Sequence, residues 1–166
     1  MKHTHLTWND VQGLCLDLAR QMQQSQWMPD YVVGITRGGS IPAVLLSQYL
    51  GVPCEMLKVS LRDGGESESN TWMAEDSYEG KNILVVDDIN DSGATIEWIR
   101  QDWRSSCHPN QLGRWGEVWH HSTKFATLVN NATSQAEVDY SSMQINKLDD
   151  PQWIVFPWED WWKATK

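Results

Sequence analysis

The sequence is short of cysteine, which limits how the chain can be stabilised and what it can bind. Its three cysteines, Cys15, Cys54 and Cys107, are odd in number and lack the close pairing that zinc and redox sites show. We therefore expect reduced thiols in a cytosol-like compartment. At 166 residues the chain is long enough to bury a core without disulfides or structural metal, and we expect one domain over residues 1–166.

Positive charge and long apolar runs are also scarce. Only 13 lysines and arginines stand against 22 acidic residues, and the net charge of −9 argues against general binding to nucleic acid or anionic membranes. No apolar run approaches the roughly 20 residues that span a bilayer, and the opening MKHTHLTWND has no apolar signal core. We expect a soluble, cytoplasmic protein with no nucleic-acid or membrane partner. Any phosphate-bearing ligand must be held by local groups or through a metal.

Phenylalanine is rare, whereas tryptophan is abundant. The chain has two phenylalanines and eleven tryptophans. Because an indole ring buries a large area, we expect most tryptophans to fill the core and subunit contacts, with one or two left to stack on a ligand.

Strand-like and helix-like segments alternate along the chain. Apolar runs rich in β-branched residues predict strands at residues 31–35, 52–62, 82–89 and 124–129. Helical spacing predicts helices over residues 7–24 and 42–50, and a third that buries Ile96, Ile99 and Trp103. This order predicts an α/β protein with a central, mostly parallel sheet flanked by helices. Residues 63–70 should form a mobile loop, and residues 104–122 a long insertion.

The stretch ILVVDDINDSGAT, residues 83–95, carries the strongest functional signal. An apolar strand ends in the acidic pair Asp87 and Asp88, and the small residues of DSGAT follow before a helix. Ligands of open parallel sheets bind at the carboxyl ends of the strands, and the N–H groups at a helix N-terminus can hold a phosphate. Carboxylates beside such a phosphate suit a ligand that carries hydroxyl groups or Mg²⁺. The block therefore predicts a sugar-phosphate site.

This block resembles the signature of the type I phosphoribosyltransferases, which use phosphoribosyl pyrophosphate (PRPP). The resemblance implies the fold of that family, with a small hood built from the terminal segments and a flexible catalytic loop. It implies that Asp87 and Asp88 bind the ribose hydroxyls and Mg²⁺, and that the 5′-phosphate is held by Asp91, Ser92, Gly93, Ala94 and Thr95. Asn90 stands where the family usually has an aliphatic residue.

Two further segments resemble loops of the same family. TRGGSIP, residues 36–42, resembles the pyrophosphate loop, in which Arg37 and the N–H groups of Gly38 and Gly39 would hold the leaving group and Arg37 would assist catalysis. In the family this loop can adopt a cis peptide. SLRDGGESESN, residues 60–70, occupies the place of the catalytic loop that closes over PRPP, although a plain surface loop is the alternative interpretation.

Near the C-terminus, DDPQWIVFPWED, residues 149–160, resembles the base-recognition segment of the 6-oxopurine branch, especially the bacterial xanthine-guanine phosphoribosyltransferases. The resemblance implies that Trp153 stacks on the purine, that Ile154 presents backbone groups to its edge, and that Glu159 reaches Mg²⁺ and the pyrophosphate. It also implies that Asp91 acts near the imidazole-ring nitrogen of the purine. The alternative for Trp153 is a further indole in the core.

One departure from the family concerns the choice of base. The 6-oxopurine enzymes place a lysine after the strand that corresponds to KFATLV, where it contacts the exocyclic oxygen of the base. Asn130 or Asn131 takes that position here, and an asparagine can donate to a carbonyl or accept from an amino group. We expect Asn131 to contact the base, which leaves the base itself open. Lys124 lies too early in the strand to replace the lysine.

Together these features predict a Mg²⁺-dependent enzyme that transfers the 5-phosphoribosyl group of PRPP to a nucleobase, with a 6-oxopurine favoured, and releases pyrophosphate. The family implies a homodimer or a higher homo-oligomer. The main alternative is a regulator that senses PRPP or a nucleotide on the same fold without catalysis. A phosphohydrolase is a weaker alternative, because Asp87 is not followed by a second aspartate two residues later.

Overall fold

The computed structural model describes residues 1–61 and 67–163. The strands in these ranges are β1 (Lys2–His5), β2 (Tyr31–Thr36), β3 (Cys54–Lys58), β4 (Ile83–Asn90), β5 (Thr123–Asn131), β6 (Tyr140–Ile145) and β7 (Gln152–Val155). The helices are α1 (Trp8–Gln24), α2 (Ser40–Leu50), α3 (Thr71–Tyr78), α4 (Ala94–Ser106) and α5 (Leu112–Gly116), and a short 3₁₀ helix follows at Trp161–Lys163.

A five-stranded parallel sheet forms the centre of the molecule, in the order β3-β2-β4-β5-β6. The predicted α/β fold with a central parallel sheet flanked by helices is therefore confirmed. From β2 the chain runs outward to β3 and then returns to β4 on the other side of β2. The strand order thus reverses between β2 and β4, and ligands of open α/β sheets bind at the carboxyl edge beside such a reversal.

The two faces of the sheet are covered by different helices, as β4 shows. Leu84 and Val86 pack in one hydrophobic cluster with α1 and α2, whereas Ile83 and Val85 pack in a second cluster with α3 and α4. A strand covered on both faces has apolar residues at every position rather than at alternate ones. This burial explains the continuous apolar run of residues 83–86 in the first half of β4.

Local interactions fix the ends of the first two helices. Thr7 Oγ1 accepts the N–H of Asp10 at 3.0 Å, and Asp10 Oδ2 accepts the N–H of Thr7 at 2.8 Å. This reciprocal pair is a capping box, and α1 begins where the sequence predicts. At the end of α2, Gly51 has a φ of 70° and donates its N–H to the carbonyl of Ser47, as expected of a C-terminal glycine.

The hood is a second, two-stranded parallel sheet in which β1 pairs with β7. The residue after β7, Phe156, stacks on Trp158 with 4.9 Å between ring centroids. Ile154 and Phe156 are both buried in the cluster that contains α1. The C-terminal segment is therefore packed against the main sheet layer, as the family resemblance implied.

Residues 104–122, predicted to be a long insertion, contribute Cys107, Trp115 and Val118 to the core, whereas most of their other side chains are exposed. They comprise the end of α4, then α5 and a turn into β5. Trp115 is buried, stacks on Trp119 with 5.4 Å between ring centroids, and donates its Nε1–H to the carbonyl oxygen of Cys107 at 3.0 Å. This segment covers the α3–α4 face of the sheet rather than projecting from it.

The tryptophans divide between the core and the surface. Trp103 and Trp115 are buried, four others are half-buried, and five are exposed, namely Trp8, Trp72, Trp153, Trp161 and Trp162. The four half-buried rings, Trp27, Trp98, Trp119 and Trp158, pack against the core clusters, so six of the eleven tryptophans lie in or against the core, as expected. An indole combines a large apolar body with a polar N–H, which allows it to lie partly in water.

The loop predicted between residues 60 and 70 is described only in part, since residues 62–66 lie outside the described ranges. The predicted mobility of this loop and its closure over a ligand concern those residues. At the end of the loop that the structure describes, Asn70 Oδ1 accepts the N–H of Met73 at 2.9 Å and so caps α3. Across residues 1–61 and 67–163, no helix combines the length and the apolar character that crossing a membrane requires.

Candidate functional site

A cavity of about 720 Å³ opens at the carboxyl edge of the sheet, where β2 and β4 lie side by side. Its size is within the range of roughly 300–1,000 Å³ that is typical of small-molecule sites. The turns after β2 and β4, the start of α4, the end of β3 and the hood all contribute to its wall. The predicted site residues that line it are Arg37, Gly38, Asp87, Asp88, Asp91, Ser92, Gly93, Ala94, Thr95, Trp153, Ile154 and Glu159.

The turn after β2 presents Arg37 and Gly38 to the cavity. The Thr36–Arg37 peptide bond is cis, as the family resemblance allowed. Gly39 lies behind the wall, where a Cβ atom would be 2.2 Å from the carbonyl oxygen of Val86. Its N–H donates to the carbonyl oxygen of Ile35 at 2.8 Å. The predicted use of the Gly39 N–H for the leaving group therefore conflicts with a hydrogen bond that this group already makes.

The turn after β4 leads directly into α4, a helix of 13 residues. Gly93 precedes the helix with a φ of 90°, and a Cβ atom there would lie 2.7 Å from the backbone nitrogen of Ala136. Only glycine fits this backbone conformation and this space without strain. Ser92 Oγ accepts the N–H of Ala94, the first residue of α4, at 3.3 Å. Gly93 has no side chain to cap the N–H groups that follow, so these groups can bind an anion in the cavity.

The acidic pair at the end of β4 forms the floor of the cavity between the two turns. The N–H of Asp88 donates to Asp87 Oδ1 at 2.9 Å, and the N–H of Ile89 donates to Asp88 Oδ1 at 2.7 Å. Burial raises the pKa of the Asp88 carboxyl above its ordinary value, and the charge of Glu159 acts in the same direction, outweighing these hydrogen bonds. Ionisation of the Asp88 carboxyl therefore costs free energy, and a nearby cation would stabilise the ionised carboxylate.

The hood supplies the opposite wall. Trp153 is 39% exposed and faces the cavity, so its ring is not part of the core. Its neighbour Ile154 is 5% exposed and also borders the cavity. Glu159 Oε2 accepts the N–H of Phe156 at 2.7 Å, which fixes this carboxylate at the cavity edge.

Comparison with known proteins agrees with this geometry. The sequence model of the family described as "Phosphoribosyl transferase domain" matches residues 7–163. The chain belongs to the phosphoribosyltransferase family. It is 27% identical over 168 residues to a xanthine-guanine phosphoribosyltransferase of Cereibacter sphaeroides, covering 95% of this chain and 87% of the relative.

Two further relatives place the chain near the purine phosphoribosyltransferases. It is 25% identical over 188 residues to a hypoxanthine-guanine phosphoribosyltransferase of Schizosaccharomyces pombe, covering 93% of this chain and 88% of the relative. Its structure matches the crystal structure of a purine phosphoribosyltransferase from Pyrococcus horikoshii with a TM-score of 0.68 and 26% identity, over 95% of each chain. The predicted resemblance to purine phosphoribosyltransferases is therefore confirmed.

Two side chains from other parts of the chain bind Asp91. The Nδ2 of Asn131 donates to both the backbone oxygen and Oδ1 of Asp91, each at 3.2 Å. The Nζ of Lys147 donates to Oδ2 of Asp91 at 2.8 Å. Asn131 is 5% exposed, and its Oδ1 accepts the N–H of Lys147 at 3.1 Å. Both ends of the Asn131 amide are thus engaged behind Asp91, an arrangement that argues against the predicted contact between Asn131 and the base.

Asn90, which departs from the usual pattern of the phosphoribosyltransferase signature, belongs to an amide ladder across three strands. Its Nδ2 donates to Asn130 Oδ1 at 2.9 Å, and Asn130 Nδ2 donates to Gln144 Oε1 at 3.0 Å. The strand register places these three residues side by side. Asn90 also accepts the hydroxyl of Ser134 at 2.8 Å. Asn130 therefore supplies an acceptor for the side-chain amide of Asn90.

Cysteine chemistry is not supported at the site. All three cysteines are free, and none of them lines the cavity. Burial raises the pKa of the Cys15 thiol to about 12, so this group stays protonated and unreactive near neutral pH. In residues 1–61 and 67–163, no three histidine, cysteine or acidic side chains are grouped to hold a metal ion by themselves.

Two lysines that lie in or beside the site were not predicted. Lys58, the last residue of β3, lines the cavity. Lys147 lies after β6 and reaches Asp91 from 56 positions further along the chain. The sequence signal for Lys147 is its place just beyond the end of a strand, but YSSMQI is too polar to be recognised as a strand from its pattern.

Proposed function

We propose that this protein transfers the 5-phosphoribosyl group of PRPP to a 6-oxopurine and releases pyrophosphate. The observation that supports this most strongly is that one cavity joins two glycine-containing turns at the ends of the adjacent strands β2 and β4. An acidic pair lies between the turns and an exposed indole faces them. PRPP has a phosphate at each end of a hydroxyl-bearing sugar, and a purine is a flat ring, so the ligands match these features.

The roles follow from the positions around the cavity. Asp91 and the residues from Ser92 to Thr95 would hold the 5′-phosphate on the N–H groups that open α4. Asp87 and Asp88 would accept hydrogen bonds from the ribose hydroxyls. Arg37 and the backbone of Gly38 would hold the pyrophosphate, with Lys58 as a further cation on the same wall. The base would stack on Trp153 and meet backbone groups of Ile154.

The reaction breaks the bond between the ribose C1 atom and a pyrophosphate oxygen and forms a bond between C1 and a ring nitrogen of the base. Positive charge develops on the sugar as pyrophosphate departs, so fixed charges around C1 should contribute more than a covalent nucleophile. Arg37 would stabilise the departing pyrophosphate. Asp91 would accept the proton that the imidazole ring of the base loses, acting as a general base.

A magnesium ion fits the acidic floor when a ligand completes its coordination. Mg²⁺ is usually bound by one or two carboxylates together with substrate phosphates and water. Asp87, Asp88 and Glu159 are the candidate ligands. The pKa of Asp88 is raised, and a bound cation would offset the cost of ionising this carboxyl. When bound, the ion would neutralise negative charge on the pyrophosphate.

Competition among bases tests the proposal. The protein is incubated with PRPP, Mg²⁺ and an equimolar mixture of guanine, hypoxanthine, xanthine, adenine, uracil and orotate, and the nucleotides formed are identified by mass spectrometry. We expect monophosphates of oxopurines. Adenine or pyrimidine nucleotides would assign the protein to another branch, and PRPP binding by calorimetry without any product would favour the sensor that the sequence left open.

A further inference from the structure

The wall of the cavity extends below the acidic pair into the buried part of the sheet. Val85, Phe125 and Thr127 line it there, and each of them is no more than 2% exposed. Val85 and Phe125 are apolar, whereas Thr127 brings a hydroxyl group to this wall. A hydrogen bond made by that hydroxyl would be shielded from water and therefore stronger than one at the surface.

Thr127 lies directly beside Asp87. The two residues are partners in the parallel pairing of β4 with β5, as are Val85 and Phe125 two positions earlier in each strand. Val85 and Phe125 belong to the hydrophobic cluster on the α3–α4 face of the sheet. Because side chains alternate between the two faces of a strand, Thr127 and Asp87 lie next to each other on that same face.

The Thr127 hydroxyl makes no hydrogen bond within residues 1–61 and 67–163. A buried hydroxyl that exchanges its bonds to water for none in the protein costs free energy. Such groups are uncommon, and each one calls for a structural or functional reason. A second buried threonine of the same strand shows the usual arrangement, since the hydroxyls of Thr123 and Ser77 are hydrogen-bonded to each other. Thr127 thus keeps a donor at the cavity wall.

We propose that Thr127 is a positioning residue for the sugar. When a nucleotide is bound, its hydroxyl donates a hydrogen bond to the Asp87 carboxylate and directs that carboxylate towards the ribose hydroxyls. This inference rests on the proposed function, in which Asp87 binds the ribose. An ionised carboxylate has about four acceptor sites, so it can accept from a threonine and from a sugar together. Hydrogen bonds to an ionised group are also roughly twice as strong as those between neutral groups.

Equilibrium binding of two nucleotides tests the inference without requiring turnover. Calorimetry measures the Kd values of GMP and of 2′,3′-dideoxy-GMP, which lacks both ribose hydroxyls, for the wild type and three variants. We expect the wild type to prefer GMP. Thr127→Val should reduce that preference by about 10-fold, the scale of a lost hydrogen bond to a charged group. Thr127→Ser retains the hydroxyl and should keep most of the preference. Thr123→Val should keep all of it, since Thr123 does not line the cavity.

Urea unfolding of the protein without nucleotide separates this role from a purely structural one. Valine has the shape of threonine without the hydroxyl, so Thr127→Val should leave the unfolding midpoint unchanged or raise it. Thr123→Val should lower the midpoint, because Ser77 loses its partner. In an Asp87→Ala background, adding Thr127→Val should change the preference for GMP no further, since Thr127 acts only through Asp87.

Each other outcome has a defined meaning. An unchanged preference in Thr127→Val, a lost preference in Thr127→Ser, or a wild type indifferent to the ribose hydroxyls would overturn the inference. Equal losses of affinity for both nucleotides would also overturn it, because they would show that Thr127 only shapes the cavity. A Thr127-dependent preference without turnover on any base would reject the proposed enzyme and leave the inference standing. A wild type that binds neither nucleotide would reject both.

Discussion

A Cβ atom at Gly38 would lie 2.1 Å from Oδ2 of Asp88. The turn after β2 and the acidic pair at the end of β4 are therefore packed against each other with no room for a single methyl group. This contact joins the two turns that we assign to the two phosphate ends of PRPP. A larger residue at position 38 would therefore require the Asp88 carboxylate or the turn to move, although the φ of Gly38 lies outside the left-handed region.

Gly38→Ala should therefore displace Asp88 or the turn. We expect turnover to fall and the free energy of unfolding to drop by about 1–3 kcal/mol, the usual effect of overpacking. Urea unfolding and pyrophosphate release would measure the two effects. Gly13→Ala is the control, since Gly13 lies in α1 with no atom within 4 Å of a Cβ. This control should gain about 0.5–1 kcal/mol from better helix propensity. An unchanged Gly38→Ala protein would contradict the packing described.

Gly93→Ala should be more costly than Gly51→Ala. Both glycines have positive φ, but only Gly93 has a backbone atom within 3 Å of a Cβ. A left-handed conformation costs a residue with a Cβ about 1–2 kcal/mol, and overpacking adds about 1–3 kcal/mol at Gly93 alone. Unfolding in urea would compare the variants. Equal losses would show that the turn before α4 can relax around a methyl group.

Asp91→Asn should separate catalysis from binding. We expect turnover to fall by about 10²-fold or more, the scale of a lost general base, with PRPP affinity changed by only a few-fold. Asp17→Asn is the control, because Asp17 lies on α1, accepts a hydrogen bond from Gln21 and does not line the cavity. Unchanged turnover in Asp91→Asn would rule out the role of general base.

Trp153→Ala should weaken binding of the base but not of PRPP. Stacking on an aromatic side chain contributes about 1–3 kcal/mol per base, which corresponds to a rise of roughly 5- to 150-fold in the base Kd. Trp161→Ala is the control, since Trp161 is also exposed but does not line the cavity. Equal effects of the two substitutions would mean that Trp153 acts through the hood and not through the base.

Asn90→Leu should destabilise the protein, although an aliphatic residue is usual at this place in the family signature. The buried amide of Asn90 donates to the carbonyl of Ala136 at 2.8 Å and accepts the hydroxyl of Ser134. Leucine would leave these groups without their partner, at a cost of about 1–3 kcal/mol. A double substitution that adds Ser134→Ala should recover part of the loss. A single variant as stable as the wild type would show that the amide ladder contributes nothing.

Elements stabilised by local interactions were predictable, whereas those stabilised by distant partners were not. The helix over residues 7–24 and the apolar run that begins β4 depend on residues close together in sequence, and both were predicted. β1 and β7 have four residues each and pair with each other from opposite ends of the chain. β1, KHTH, has no apolar residue, and β7, QWIV, is too short to be recognised as a strand from its own sequence.

The site shows the same division. The residues of DDINDSGAT were predictable because one strand and the following turn bring all of them to the cavity. Lys147 was not, because its contact with Asp91 exists only when β6 lies beside β5. The structure argues against the predicted contact between Asn131 and the base for a related reason. A position in a strand does not reveal that both ends of an amide are satisfied by neighbouring elements.

Pyrophosphate release with guanine as the only base tests the central claim most directly. PRPP and Mg²⁺ are supplied in excess, a reaction without guanine is the control, and GMP is quantified beside pyrophosphate. We predict release that depends on guanine, with one GMP formed for each pyrophosphate. If PRPP binds but release never exceeds the guanine-free control with guanine, hypoxanthine or xanthine, the protein is not the transferase described.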